Sequence, residues 1–161
     1  MRPRRDFARR LGGDAGLRQG AIRGLEWEDI DFDEKTITVR RNVWRDQIGT
    51  PKGGRPRVIP MTTRLFEALQ AIPHERGLRV FCSAEGTPLA EGKMQMLWRL
   101  CKKSEVREIS WHTLRHTYCS HLGMLGAAPV AIQLAAGHQL VAGAQGNRTL
   151  QAPREGRLRR L

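Results

Sequence analysis

The densest chemistry in this chain lies in His112-Thr113-Leu114-Arg115-His116-Thr117-Tyr118-Cys119-Ser120-His121-Leu122. An imidazole and a guanidinium three residues apart share one helical face, with Cβ atoms about 5–6 Å apart. The guanidinium is a fixed planar fork for phosphate oxygens, and the imidazole exchanges protons near neutral pH. The pair suits phosphoryl chemistry on a nucleic acid. A solvated helical stripe shows the same pattern, so further groups must define a site. His112, His116, His121 and Cys119 do not read as a metal centre. The i, i+4 histidines lack the intervening Glu of the zinc-protease pattern, and spacing fixes no third ligand.

Positioning such a pair requires a scaffold, and the periodicity supplies one. Apolar residues Leu17, Ile22 and Leu25 suggest a short glycine-interrupted helix between Asp14 and Leu25. The alternation Thr36-Ile37-Thr38-Val39-Arg40-Arg41-Asn42-Val43 reads as one half-buried strand, with a second strand after Asp46. Thr50-Pro51-Lys52-Gly53-Gly54-Arg55 carries turn residues, which displays Lys52 at a hairpin tip before the extended run Arg57-Val58-Ile59-Pro60. Thr62 or Thr63 can cap a helix whose Leu65, Phe66, Leu69 and Ile72 form one face. Val80-Phe81-Cys82 is a short apolar piece. Met94, Leu97, Trp98 and Cys101 follow helical spacing and read as core. The His112 helix buries Leu114, Tyr118, Leu122 and Leu125 and stops at Gly126. A last helix runs from Pro129 to Gly137, so His138 sits at a helix C-terminus, where the dipole favours a protonated imidazole.

A chain of 161 residues with 40% hydrophobic content fits one soluble domain, and a net charge of +12 points to a polyanionic partner. Five arginines against one aspartate in residues 1–10, and five against one glutamate in residues 141–161, place most of that excess in the ends. Basic ends of this kind read as unstructured tails, residues 1–13 and 141–161, flanking a domain over residues 14–140. Within the domain Arg40, Arg41, Arg45, Lys52, Arg55 and Arg57 face only Asp46, which marks a candidate phosphate-facing surface. Three cysteines without a close pair argue against a disulfide framework and for a reducing compartment. Neither a membrane span nor a secretory signal is present, so a cytoplasmic protein with access to nucleic acid is expected.

Taken in order, these pieces resemble the tyrosine recombinase (phage integrase) family. Gly16-Leu17-Arg18-Gln19-Gly20 is similar to its first-arginine motif, and Leu25-Glu26-Trp27-Glu28-Asp29-Ile30-Asp31 to the segment that follows. Thr50-Pro51-Lys52 through Pro60 resembles its lysine hairpin, His112 to Leu122 its H-x-x-R helix, and Leu134-Ala135-Ala136-Gly137-His138 its L-L-G-H motif. The resemblance implies an α+β catalytic domain, mostly helical with a small antiparallel sheet or hairpin. It implies cofactor-free, metal-free transesterification on double-stranded DNA through a 3′-phosphotyrosyl link. Arg18 and Arg115 would neutralise the non-bridging oxygens, Lys52 would protonate the leaving 5′-oxygen, and His112 and His138 would position or move protons. Arg40, Arg41, Arg45, Arg55 and Arg57 would hold flanking phosphates.

Departures from the pattern are equally specific. The nucleophilic tyrosine is expected about nine residues past His138, near Asn147, and the sequence has none there. Its one tyrosine, Tyr118, stands where the family carries a core aromatic and reads as packing. Ala21 replaces the glutamate common beside the first arginine, and residues 1–13 are too short for the family's N-terminal clamp. The expectation is a fragment whose reading frame is lost after Leu140 and whose strand exchange is negligible alone. A tyrosine supplied in trans by an intact recombinase protomer is the activity left open to it. The alternatives are a non-catalytic DNA-binding remnant and a basic interaction module.

Overall fold

The computed structural model describes residues 2–51, 54–72, 77–83 and 85–137, apart from the side chains of residues 2–5, 91, 93 and 96. Lys52 and His138, and the whole of 141–161, therefore lie outside the described residues. The order is α1 (Arg2–Gly13), α2 (Gln19–Arg23), β1 (Ile30–Asp31), β2 (Thr36–Val39), β3 (Asn42–Trp44), β4 (Gln47–Gly49) and β5 (Arg57–Pro60). Then follow α3 (Thr63–Gln70), α4 (Met96–Lys103), α5 (Trp111–Met124) and α6 (Pro129–Ala136). This is the α+β architecture expected, helical with small antiparallel sheets.

Residues 2–13 form a helix rather than the basic tail expected from composition. Phe7, Ala8 and Leu11 are fully buried, and the Phe7 ring stacks on Phe81 with centroids 5.9 Å apart. Phe7 and Leu11 are one helical turn apart, so a single apolar stripe docks α1 against α3 and α5. Asp6 pairs with Arg9 at 2.6 Å and Arg10 at 2.9 Å on the solvent side, where the abundant arginines had masked the stripe in a charge count.

One sheet has the order β1-β2-β5, with Ile37 opposite Ile59 and Val39 opposite Arg57. The expected single strand from Thr36 to Val43 is broken at Arg40 and Arg41, and β3 leaves to pair with β4 as a separate hairpin. Arg45 and Asp46 make its turn with positive φ at both positions, the backbone that a tight two-residue hairpin needs. Thr62 caps α3 by accepting from the Leu65 N–H at 3.2 Å. Ser110 and Thr113 cap α5 reciprocally, at 3.1 and 3.2 Å. Two expected core residues face outward instead. Trp98 is 43% exposed and donates to Glu108 at 2.6 Å, and Leu125 is 66% exposed. Among the described residues no helix is long and apolar enough to cross a membrane.

Candidate functional site

Arginines in this molecule sort into those with a carboxylate and those without. Arg23 is buried and reaches Asp46 and the Leu89 carbonyl. Arg41 contacts Glu28, Glu26 at 2.7 Å and Asp29 at 2.9 Å, with Arg79 adding a contact to Glu26 at 3.3 Å and Arg40 one to Asp29 at 3.6 Å. Arg41 was expected to face phosphate, yet its charge is neutralised within the fold. Opposite charges and hydrogen bonds from Glu28, Asp29 and Glu26 hold its pKa above the ordinary value, against the opposing pull of desolvation. Glu26 and Asp29 are almost fully buried, so removing their cation leaves uncompensated charge. Arg41→Gln is expected to cost about 1–2 kcal/mol, since Arg79 and Arg40 remain, and to leave DNA affinity nearly unchanged. Denaturant melts and gel shifts on the same variant check both halves.

Among the described residues, Arg18, Arg57 and Arg115 are the members of the second class that are not exposed. Arg18 is the residue that opens α2, in extended backbone, so its side chain leaves from the start of that helix. Its Nη1 donates to the Gly137 carbonyl at 3.1 Å. Arg115, on α5 and 3% exposed, donates from Nη1 to the Gly16 carbonyl at 2.6 Å. Arg57 enters from β5. The carboxylates that make ion pairs, Asp6, Asp14, Glu26, Glu28, Asp29 and Asp46, all serve other cations. Arg115 Nη2 and Arg57 Nε and Nη2 are buried without a hydrogen-bond partner among the described residues.

Two glycines let these groups approach. Gly16 has φ +63°, and a Cβ on it would lie 2.7 Å from Cε1 of the Tyr118 ring. Gly137 has φ +62° and closes α6, as its position in the sequence indicated. A Cβ there would lie 2.7 Å from Arg57 Cζ, so the guanidinium lies directly on the glycine backbone. The result is a cationic cluster that draws on α2, β5, α5 and the end of α6.

Like charges without counter-charge raise the cost of ionisation. Burial first, then Arg115 and Arg18, push the Arg57 pKa down to about 10. Burial, then Arg18, does the same for Arg115, also to about 10. Burial lowers Arg18. All three still carry charge at neutral pH. A cation whose folded pKa is depressed weakens the fold at every pH below that value, and the cost fades only as pH rises from about 10 toward the ordinary arginine value. An anion bound at the cluster relieves the same cost at neutral pH.

His112 is exposed on the first turn of α5, with its ring edge-on to His116 at 4.4 Å between centroids. It lines an open groove together with Gln19, the neighbour of Arg18. Tyr118 is partly covered, and burial, then Cys119, pushes its hydroxyl pKa up, with Arg57 and Arg115 opposing. Of the other expected contacts, Arg45 stacks over Trp44 at 5.8 Å and Arg55 is exposed. Arg57 was expected on the outer basic surface, and the structure turns it inward. Residues two apart on a strand share a face, so the core position of Ile59 carried that signal. Among the described residues no group of three His, Cys, Asp or Glu is placed to hold a metal.

Residues 7–146 match the model of the phage integrase family. Tyrosine recombinase XerC of Thermodesulfovibrio yellowstonii is 31% identical over 138 residues, covering 77% of this chain and 42% of that protein. XerC of Neisseria meningitidis serogroup C is 29% identical over 131 residues, covering 77% and 40%. Among solved structures, the Tn1549 transposon integrase in complex with transposon right end DNA superposes with a TM-score of 0.73 at 28% identity, covering 85% of this chain and 51% of that one. The integrase of mycobacterium phage Brujita gives 0.68 at 23%, covering 84% and 43%, and supports the fold alone. The chain thus spans about two fifths of the length of these curated relatives.

Proposed function

This chain belongs to the phage integrase family and folds as its tyrosine recombinase catalytic domain, and from that premise we propose that it grips a phosphodiester of duplex DNA between Arg18 and Arg115. The observation that carries this reading is their meeting, from distant parts of the sequence, in a largely covered cationic cluster with no carboxylate partner among the described residues. Two guanidiniums neutralise the non-bridging oxygens as charge builds on phosphorus, the task metal ions perform elsewhere. Lys52 is the proton donor to the leaving oxygen in this reading, and His112 and His138 serve proton transfer around the phosphate. Arg40, Arg45 and Arg55 add contacts to flanking phosphates in a cytoplasmic setting.

Strand transfer also needs a nucleophile, and Tyr118 is placed poorly for it. Its ring is wedged against Gly16 and its hydroxyl is held in the neutral form. No tyrosine follows it in the sequence. The chain alone therefore holds DNA without forming a phosphotyrosyl link, and an intact recombinase protomer donating a tyrosine in trans is the partner that restores exchange. Binding is expected to be salt-steep, weakening about 10³-fold between roughly 50 and 200 mM salt if about six phosphates are contacted. Incubation with a nicked duplex separates the readings. A shift on native gels with no covalent band after denaturation is expected. A covalent protein–DNA band would overturn the assignment of Tyr118, and no shift at low salt would overturn the DNA reading.

A further inference from the structure

Arg57 stands apart from the rest of the basic hairpin. Its strand register places it opposite Val39, on the same inward face as Ile59, and its guanidinium rests on the backbone of Gly137. The contact with Gly137 is made by Nη1, which leaves the opposite edge, Nε–H and Nη2–H, free. Those two N–H groups are buried and unpartnered among the described residues. They point the same way from one planar group, which is the side-on geometry that takes two oxygens of a phosphate at once. A buried fork with both prongs unsatisfied is costly unless an anion fills it.

We propose that Arg57 is a third phosphate-binding guanidinium, whose Nε and Nη2 grip the same phosphodiester as Arg18 and Arg115. This rests on the reading of the arginine cluster as a DNA phosphate site and adds to it. Three forks around one phosphorus leave no non-bridging oxygen without a cationic donor. Gly137 becomes the floor of the site, because it accepts from Arg18 through its carbonyl and seats Arg57 on its α-carbon. Burial first, then the charges of Arg115 and Arg18, lowers Arg57, and an anion bound at its fork offsets both.

The test is a titration of the full chain with inorganic phosphate, followed through the arginine Nε–Hε resonances. Sodium chloride at matched ionic strength is the control. Arg57→Lys and Arg57→Gln assign one resonance by its disappearance, and Arg115→Lys assigns the other. The two signals are expected to move together, with one half-saturation point, in phosphate and not in chloride. Loss of the Arg57 fork is expected to weaken phosphate binding about tenfold or more. Movement of Arg115 with Arg57 still, or unchanged affinity in both Arg57 variants, overturns the proposal and leaves the two-arginine cradle standing. If neither signal moves, the cradle falls and this proposal with it.

Discussion

Gly16→Ala is expected to destabilise the fold by about 3 kcal/mol, read as a shift of the denaturant midpoint. Two costs combine. A Cβ in left-handed backbone costs roughly 1–2 kcal/mol, and a methyl forced into occupied space costs about 1–3 kcal/mol more. Here the occupied space is the Tyr118 ring, with Cε1 at 2.7 Å from the added atom. Neither the ring nor the loop can yield freely. Leu17 N–H is tied to the Leu11 carbonyl at 2.8 Å, and the Gly16 carbonyl to Arg115. In a Tyr118→Ala background the added cost is expected to shrink to the backbone share, about 1–2 kcal/mol. An undiminished penalty in that background would remove the ring from the explanation. The chemical consequence is as direct, since the carbonyl displaced by the methyl is the one that orients Arg115.

Arg115→Lys is expected to lower affinity for duplex DNA about 30- to 100-fold while leaving the slope of affinity against salt unchanged. The arginine fork has two jobs: Nη1 is occupied by the Gly16 carbonyl, and Nη2 remains for the ligand. Lysine keeps the charge but is a single point on a flexible stem, so it can serve the carbonyl or the phosphate and not both. A lost charge-assisted hydrogen bond is worth roughly 1.5–3 kcal/mol. The salt slope counts neutralised phosphates, and that count depends on charge. Arg55→Gln, on the exposed hairpin, is expected to do the reverse, with a small loss and a shallower slope. Equal behaviour of the two variants in a salt series of gel shifts would mean that Arg115 is one more surface cation.

Much of this arrangement was legible before the structure. The His112-x-x-Arg115 helix, the left-handed stop at Gly137 and the Thr62 cap are local features written in residue types, and they appear where expected. The helix α1 was hidden because its apolar stripe is thin and its charge is dense, so composition outweighed periodicity. Arg41 and Arg57, both expected on one phosphate-facing surface, part for a different reason. One faces a buried acidic cluster and the other faces Arg18 and Arg115, and both choices follow from where the chain breaks between β2 and β3 and from strand register. Such pairings are long-range, and a charge count treats both residues alike. Tyr118 was read as packing, and its ring lies against Gly16, a contact that depends on a left-handed loop whose glycine pattern alone did not specify the partner.

The most direct measurement is a crystal structure of the full chain with a short DNA duplex. A backbone phosphorus flanked by the guanidiniums of Arg18 and Arg115 is the expected result. Phosphates lying only along Arg45 and Arg55, with no phosphate between Arg18 and Arg115, would contradict it.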